Sequence, residues 1–228
     1  RPEQRITAIR FYDGNAGSNE PAHTLASYCY TAANQLAHHT DSLGNSRYFA
    51  WYDRVYMQYH ADRLGQRFHY DYDEAWRVVH AWGDGGWYDY HFAWNDACHE
   101  LEMTDSLGHI TIIRFSDDGL PLCEIDPQGG ATFFLYDAYG QTVAITSPGG
   151  RKTLFEYDEA GHIVRETTPD DSEYTASWQR LKLTEATDPE GSRWLFEYDE
   201  RGNLSTATAP AGVRRRYHHD EYGQVVRL

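Results

Sequence analysis

Phe134-Leu135-Tyr136-Asp137-Ala138-Tyr139-Gly140 is the stretch that decides the fold, because it recurs. Twenty-one residues on it returns as Phe155-Glu156-Tyr157-Asp158-Glu159-Ala160-Gly161, and later as Phe196-Glu197-Tyr198-Asp199-Glu200-Arg201-Gly202. Asp220 and Gly223 carry the same spacing near the end. Working outward, the marker aromatic is found at Tyr30, Trp51, Tyr72, Trp94, Phe115, Tyr136, Tyr157, Trp178 and Tyr198, with His219 as a substitute. The gaps are 21 residues, except 22 before Trp94 and 20 before Tyr198. A period of this length is the signature of a repeat array.

A second marker fixes the register. Seven residues before the aromatic stands a glycine at Gly44, Gly65, Gly108, Gly129, Gly150, Gly191 and Gly212. Each unit therefore carries two turns about ten residues apart. One is Tyr-Asp-x-x-Gly; the other is Asp-x-x-Gly or Asp-Pro-x-Gly, as in Asp126 to Gly129 and Asp188 to Gly191. Aspartate accepts from the backbone two residues on, and glycine supplies the positive φ that closes the turn. Such a turn suits a hairpin with a bulge.

Between turns, side chains alternate with a period of two, the pattern of a strand. Phe68, Tyr70 and Tyr72 share one face, as do Tyr90, Phe92 and Trp94, and Trp194, Phe196 and Tyr198. Stacked strands would make of them an aromatic ladder, each cross-strand pair contributing roughly 0.2–1 kcal/mol. The opposite face centres on His69 and His91 early, then on Ile112, Phe133, Leu154 and Leu195, so partial cover is expected there in the C-terminal half. The expectation is an all-β chain of tandem 21-residue hairpins forming a curved, spiralling antiparallel sheet. Residues 1–27 read as an irregular lead-in, with a strand around Ile6 to Tyr12 and a loop over 13–19. Residues 28–228 hold about nine to ten repeats.

Composition agrees. Of 228 residues, 18 are tyrosine and 7 tryptophan, types that favour pleated surfaces. A net charge of -15 argues against a nucleic-acid groove and against docking on an anionic membrane. Cys29, Cys98 and Cys123 are too few and too far apart for a disulfide framework or a zinc site. No run of about 18 apolar residues occurs. A soluble segment is expected, and because Arg1 begins inside patterned sequence without an initiator Met, a piece of a longer polypeptide.

Tyr-Asp-x-x-Gly at this spacing, alternating with Asp-Pro-x-Gly, resembles the YD repeat of the Rhs family over roughly residues 28–228. Tyr136 to Gln141 and Tyr157 to His162 fit closely; the Tyr72, Trp94 and Trp178 units lack the final glycine. The resemblance implies a hollow shell, spiralled from a long β-sheet, that encloses a C-terminal toxin until delivery. Such polymorphic toxins include type VI secretion effectors and subunits of insecticidal toxin complexes, and related repeats occur in teneurins. The implied partners are the remainder of the shell polypeptide, the enclosed toxin, and a secretion spike or chaperone. The implied route is from the bacterial cytoplasm outward. Roughly 20 strands at about 4.8 Å would make about 95 Å of sheet, a ring only about 30 Å across if closed. That suits one arc of a shell rather than a whole one.

Pro121-Leu122-Cys123-Glu124-Ile125-Asp126-Pro127-Gln128-Gly129 resembles the family's self-cleavage motif, with Gly130 where that motif has Leu. Asp126 nevertheless shares its register with Asp188, and repeats continue for another hundred residues, so an ordinary turn is expected. His69 and His91 are equivalent one repeat apart but lack a third ligand at a defined spacing, so no metal is expected. Cys98-His99 would point to opposite faces of a strand. Gly83-Asp84-Gly85-Gly86 lacks the Lys-Ser/Thr of a phosphate loop. No catalytic residue and no cofactor is expected. The rival reading is a module binding carbohydrate or a cell surface through its aromatic residues.

Overall fold

The computed structural model describes residues 5–12, 23–53 and 55–227. The expected loop over 13–19 lies outside the described residues. Among those described there is no helix. Twenty strands form an open antiparallel sheet, and two more, His218–His219 and Val225–Arg227, pair separately. By contacts the chain divides into two compact units, Arg1–Ile112 and Ile113–Leu228.

In the first unit the strands run from Ala8–Phe11 and His23–Tyr30 to Trp87–Asn95 and Glu100–Thr104, each pairing with the next in sequence. Ala8–Phe11 is the strand read near Ile6 to Tyr12. In the second unit the same meander runs from Pro121–Ile125 to Arg214–Arg216. The strand Ile110–Phe115 spans the division.

A feature of the register recurs beside the marker aromatics. Leu135 pairs with Ala144 but Tyr136 with Thr142, so Val143 is an extra residue opposite them. The same shift falls between Cys29 and Tyr30, Ala50 and Trp51, Asp71 and Tyr72, Glu156 and Tyr157, Ser177 and Trp178, and Glu197 and Tyr198. At the other turn of the unit no shift occurs: Ala61 pairs with Arg67 and His60 with Phe68. The unit is thus a plain hairpin followed by a bulged one, and the bulge sits at the conserved-spacing aromatic.

The core is thin. Among the described residues the buried apolar ones are Ala61, Ala81, Leu101, Cys123 and Ala144, and no large side chain is fully buried. The solvent-accessible surface is 16561 Å², against about 10,600 Å² expected of a compact monomer of this mass. Cover of the second face is slight: Ile112 is half-buried, while Phe133 is 52%, Leu154 39% and Leu195 41% exposed. A single layer of sheet has two faces and buries neither by itself. Local bonding at the turns must therefore carry much of the order.

Candidate functional site

The repeated element is a corner, built from an aspartate, a residue at positive φ and an aromatic from the next repeat. At Asp137 the backbone N–H of Asp137 donates to the Gln141 carbonyl at 3.0 Å and that of Gly140 to the Asp137 carbonyl at 3.2 Å. The Asp137 carboxylate accepts from the backbone N–H groups of Tyr139 and Gln141 at 2.8 and 2.9 Å, and from Gln141 Nε2 at 2.9 Å. Gly140 has φ 80°, a conformation that costs a residue with a Cβ but not glycine.

Asp158 repeats the pattern on Ala160, His162 and the His162 ring, Gly161 closing the turn. Asp199 does so with Asn203 and Gly202, and Asp220 with Tyr222, Gln224 and Gly223. The Asp-Pro-x-Gly turns use the same chemistry. Asp126 accepts from Gln128 and Gly130 with Gly129 closing the turn, and Asp188 accepts from Ser192 with Gly191 closing it. Asp126 thus spends its carboxylate on two backbone donors of its own turn. At Asp137, Asp158 and Asp199 such bonds favour the ionised form. Asp137 is held below the ordinary carboxylate range, first by the Gln141 backbone N–H; Asp158 by the His162 side chain; and Asp199 by the Asn203 backbone N–H.

The aromatic completes the corner. The Tyr157 hydroxyl donates to the Thr142 carbonyl at 2.8 Å, and Thr142 is the residue that pairs with the previous marker, Tyr136. Tyr136 itself donates to the Pro121 carbonyl at 2.7 Å and Tyr198 to Leu183 at 2.8 Å. Tyr72 reaches Met57, and the indole N–H groups of Trp51, Trp94 and Trp178 reach Leu36, Val78 and Ile163, each at 2.9 Å. Trp51, Tyr72, Trp94, Tyr157, Trp178 and Tyr198 therefore each latch onto the bulge left by the marker before them. This explains the period and both exceptions to it. Most latches span 15 residues; that of Trp94 spans 16, because the hairpin between Val78 and Trp94 carries an added irregularity between Ala81 and Gly83. The gap of 20 arises because the Trp178 turn is one residue shorter, Gln179 pairing directly with Lys182.

The ladder differs in detail from the sequence reading. Phe68 and Tyr70 contact each other edge to face at 5.4 Å, and Tyr90 and Phe92 stack at 6.4 Å, each pair within one strand. Across strands, Ala81 stands between Tyr70 and Tyr90, and Ala186 beside Trp194, while Phe196 faces Ala207. At these positions the intervening strand places a small residue beside the ring, whereas Phe68 faces His60, Phe92 faces Met103 and Trp94 faces Leu101.

Turns without glycine keep their register in different ways. In the Tyr72 unit Trp76 takes φ 62°, and Asp73 accepts from Ala75 and Arg77 as elsewhere. The Trp94 unit has no bulge: Trp94 pairs with Leu101 and Asn95 with Glu100. Cys98 and His99 lie in that turn, not on a strand, so the opposite-face argument does not apply to them. Gly83 to Gly86 also form a turn, whose Asp84 carboxylate accepts from the Arg67 backbone and contacts His69 at 2.9 Å.

Residues 136–173 and 180–214 match the RHS Repeat family. Those two stretches are similar to Rhs repeats. Among solved structures, the chain is similar to the Photorhabdus luminescens Tc holotoxin pore, with a TM-score of 0.55 and 13% identity over 89% of this chain and 13% of that one. It is similar also to TcdB2-TccC3, with a TM-score of 0.54 and 12% identity over 89% of this chain and 14% of the other. The same values hold for TcdB2-TccC3 without its hypervariable C-terminal region. At such identity the likeness is one of fold, and the chain spans about a seventh of the structures it matches. No curated protein matches the sequence. No helix among the described residues is long and apolar enough to cross a membrane.

Proposed function

We propose that this chain is a wall segment of an Rhs-type shell that contains and protects a C-terminal toxin before delivery. The observation that carries the reading is the recurrence of one corner, its aspartate bonded to its own turn and its aromatic bonded to the preceding bulge. Such a plan spends its polar groups on holding a sheet in register and extends by adding units, as a wall must. The likeness in fold to Tc toxin structures, one of them TcdB2-TccC3 without its hypervariable C-terminal region, supports the same assignment. The partners are then the rest of the shell polypeptide, the enclosed toxin, and a spike or chaperone that hands the assembly to the secretion apparatus. The route runs from the bacterial cytoplasm outward. The segment has no chemistry of its own in this account, and Asp126 serves as a turn residue. The carbohydrate-binding alternative is less well supported, because the tips of Tyr136, Tyr157, Trp178 and Tyr198 are engaged by backbone carbonyls.

The test is protease protection on the full reading frame that encodes this chain, with a tag at its C-terminus. A shell predicts that the C-terminal region survives protease while the repeats are intact and is digested once they are unfolded. Digestion at the same rate in both states would contradict it.

A further inference from the structure

On one face of the Arg1–Ile112 unit the register gathers side chains that the repeat plan does not use. His80 in the strand Val78–Gly83 lies directly opposite His91 in the strand Trp87–Asn95. Asp89, two residues before His91, shares its face through the period of the strand. His80 Nε2 is 2.7 Å and His91 Nε2 3.5 Å from Asp89 Oδ1. The ligand atoms of the three residues all lie within 4.8 Å of one another.

We propose that His80, Asp89 and His91 form a binding site for a first-row divalent transition ion of the zinc class. Two neutral imidazoles and one carboxylate are the donor set that such ions prefer, and magnesium and calcium, which favour all-oxygen sites, do not. The dimensions agree. Ligands about 2.1 Å from one tetrahedral ion stand about 3.4 Å apart. The His91–Asp89 separation already meets this, and the His80–Asp89 contact opens by less than about 1 Å in exchanging a hydrogen bond for the ion. The two rings are stacked at 4.0 Å and 8°, so one must turn out of the stack to aim its lone pair. His91 does this readily, since its side chain is 63% exposed and the torsion concerned is broad.

The surroundings favour binding. Asp71 Oδ2 lies 3.9 Å from His80 Nδ1, where its charge favours the tautomer that keeps the proton on Nδ1 and leaves the Nε2 lone pair for the ion. Trp82 stacks on the other face of the His80 ring at 4.0 Å and limits its rotation. Three protein ligands leave a coordination position open to water or to a ligand from solution. The sequence reading had grouped His69 with His91, but His69 belongs to a different pair, held by Asp84.

Calorimetric titration of the chain with zinc chloride tests the site, with circular dichroism to confirm that each variant is folded. One saturable site is expected, weakened at least tenfold in His91→Ala and in Asp89→Asn and unchanged in His69→Ala and His162→Ala. Magnesium chloride is expected to give no binding. Absence of any site tighter than roughly 100 µM, or equal affinity in the wild type and His91→Ala, would overturn the assignment.

Discussion

The turns at Asp73 and Asp137 have the same bonds and different occupants. In both, the carboxylate accepts from the backbone two and four residues on, and the fifth residue adds a side-chain bond. Yet the left-handed position is Gly140 in one and Trp76, at φ 62°, in the other. Trp76 stacks on Tyr56 at 4.2 Å and 14°, contact that offsets the conformational cost. The contrast extends to the two units. Among the described residues, four other than glycine hold positive φ in Arg1–Ile112 (Asn34, Trp76, Tyr88 and His99), against Asp171 and Arg180 in Ile113–Leu228. The faces diverge too, with His80, His91 and Asp89 in one unit and Phe133, Leu135 and Leu154 in the other. Asp73 and Asp137 keep the same turn bonds while the residues around them differ.

The comparison is broken most severely by removing the conformational freedom that Gly140 and Gly161 supply. Gly140→Val or Gly161→Val is expected to cost about 2 kcal/mol, read as a lower melting temperature, because a β-branched residue resists positive φ. At Gly140 the loss is one of conformation, since the nearest atom to an added Cβ would be Leu120 Cδ1 at an ordinary 3.7 Å. At Gly161 the Gln141 side chain, at 3.0 Å, must also give way. An unchanged melting temperature for both would refute the turn assignment.

Trp76 supplies the converse. Trp76→Ala keeps the strained φ and loses the stack, whereas Trp76→Gly loses the stack and relieves the strain. The alanine variant is expected to be less stable than the glycine variant by about 1 kcal/mol, and the opposite order would show that the backbone there is not strained. Tyr157→Phe removes one latch bond and is expected to cost about 1 kcal/mol, with no loss in Phe115→Tyr, where the native ring has no donor.

The smallest effect is on pH. Asp73, Asp105, Asp137, Asp158 and Asp199 all titrate below the ordinary carboxylate value, held there by turn bonds. The unfolded chain therefore takes up protons first as the pH falls. Stability from these groups is present above about pH 4 and is lost below it. Asp137→Ala should flatten that acid limb relative to wild type, and identical limbs would show that the turn carboxylates contribute little.

Much of this was legible in the sequence. The period, the two turns and the roles of Asp137 and Gly140 follow from residue types at fixed offsets, which local backbone chemistry dictates. The latch was not legible, because a phenol reaching a carbonyl 15 residues back depends on a bulge that shifts the register. The pairing of His80 with His91 was hidden for a related reason: equivalence by repeat pointed to His69 and His91, while neighbours across a hairpin are set by where the turn falls. Alternation along the strands marked two faces but could not say that both stay open, since cover is a property of what packs on a sheet.

The account rests on one corner repeated in both units, and amide hydrogen exchange reads it directly. The N–H groups of Arg77, Gln141, His162 and Asn203 each donate to a turn aspartate. All four are expected to be protected against exchange, and Asp137→Ala is expected to release Gln141 and Tyr139 while leaving Arg77 as it was. Exchange at the rate of an unfolded peptide at these four positions in the wild type would contradict the claim.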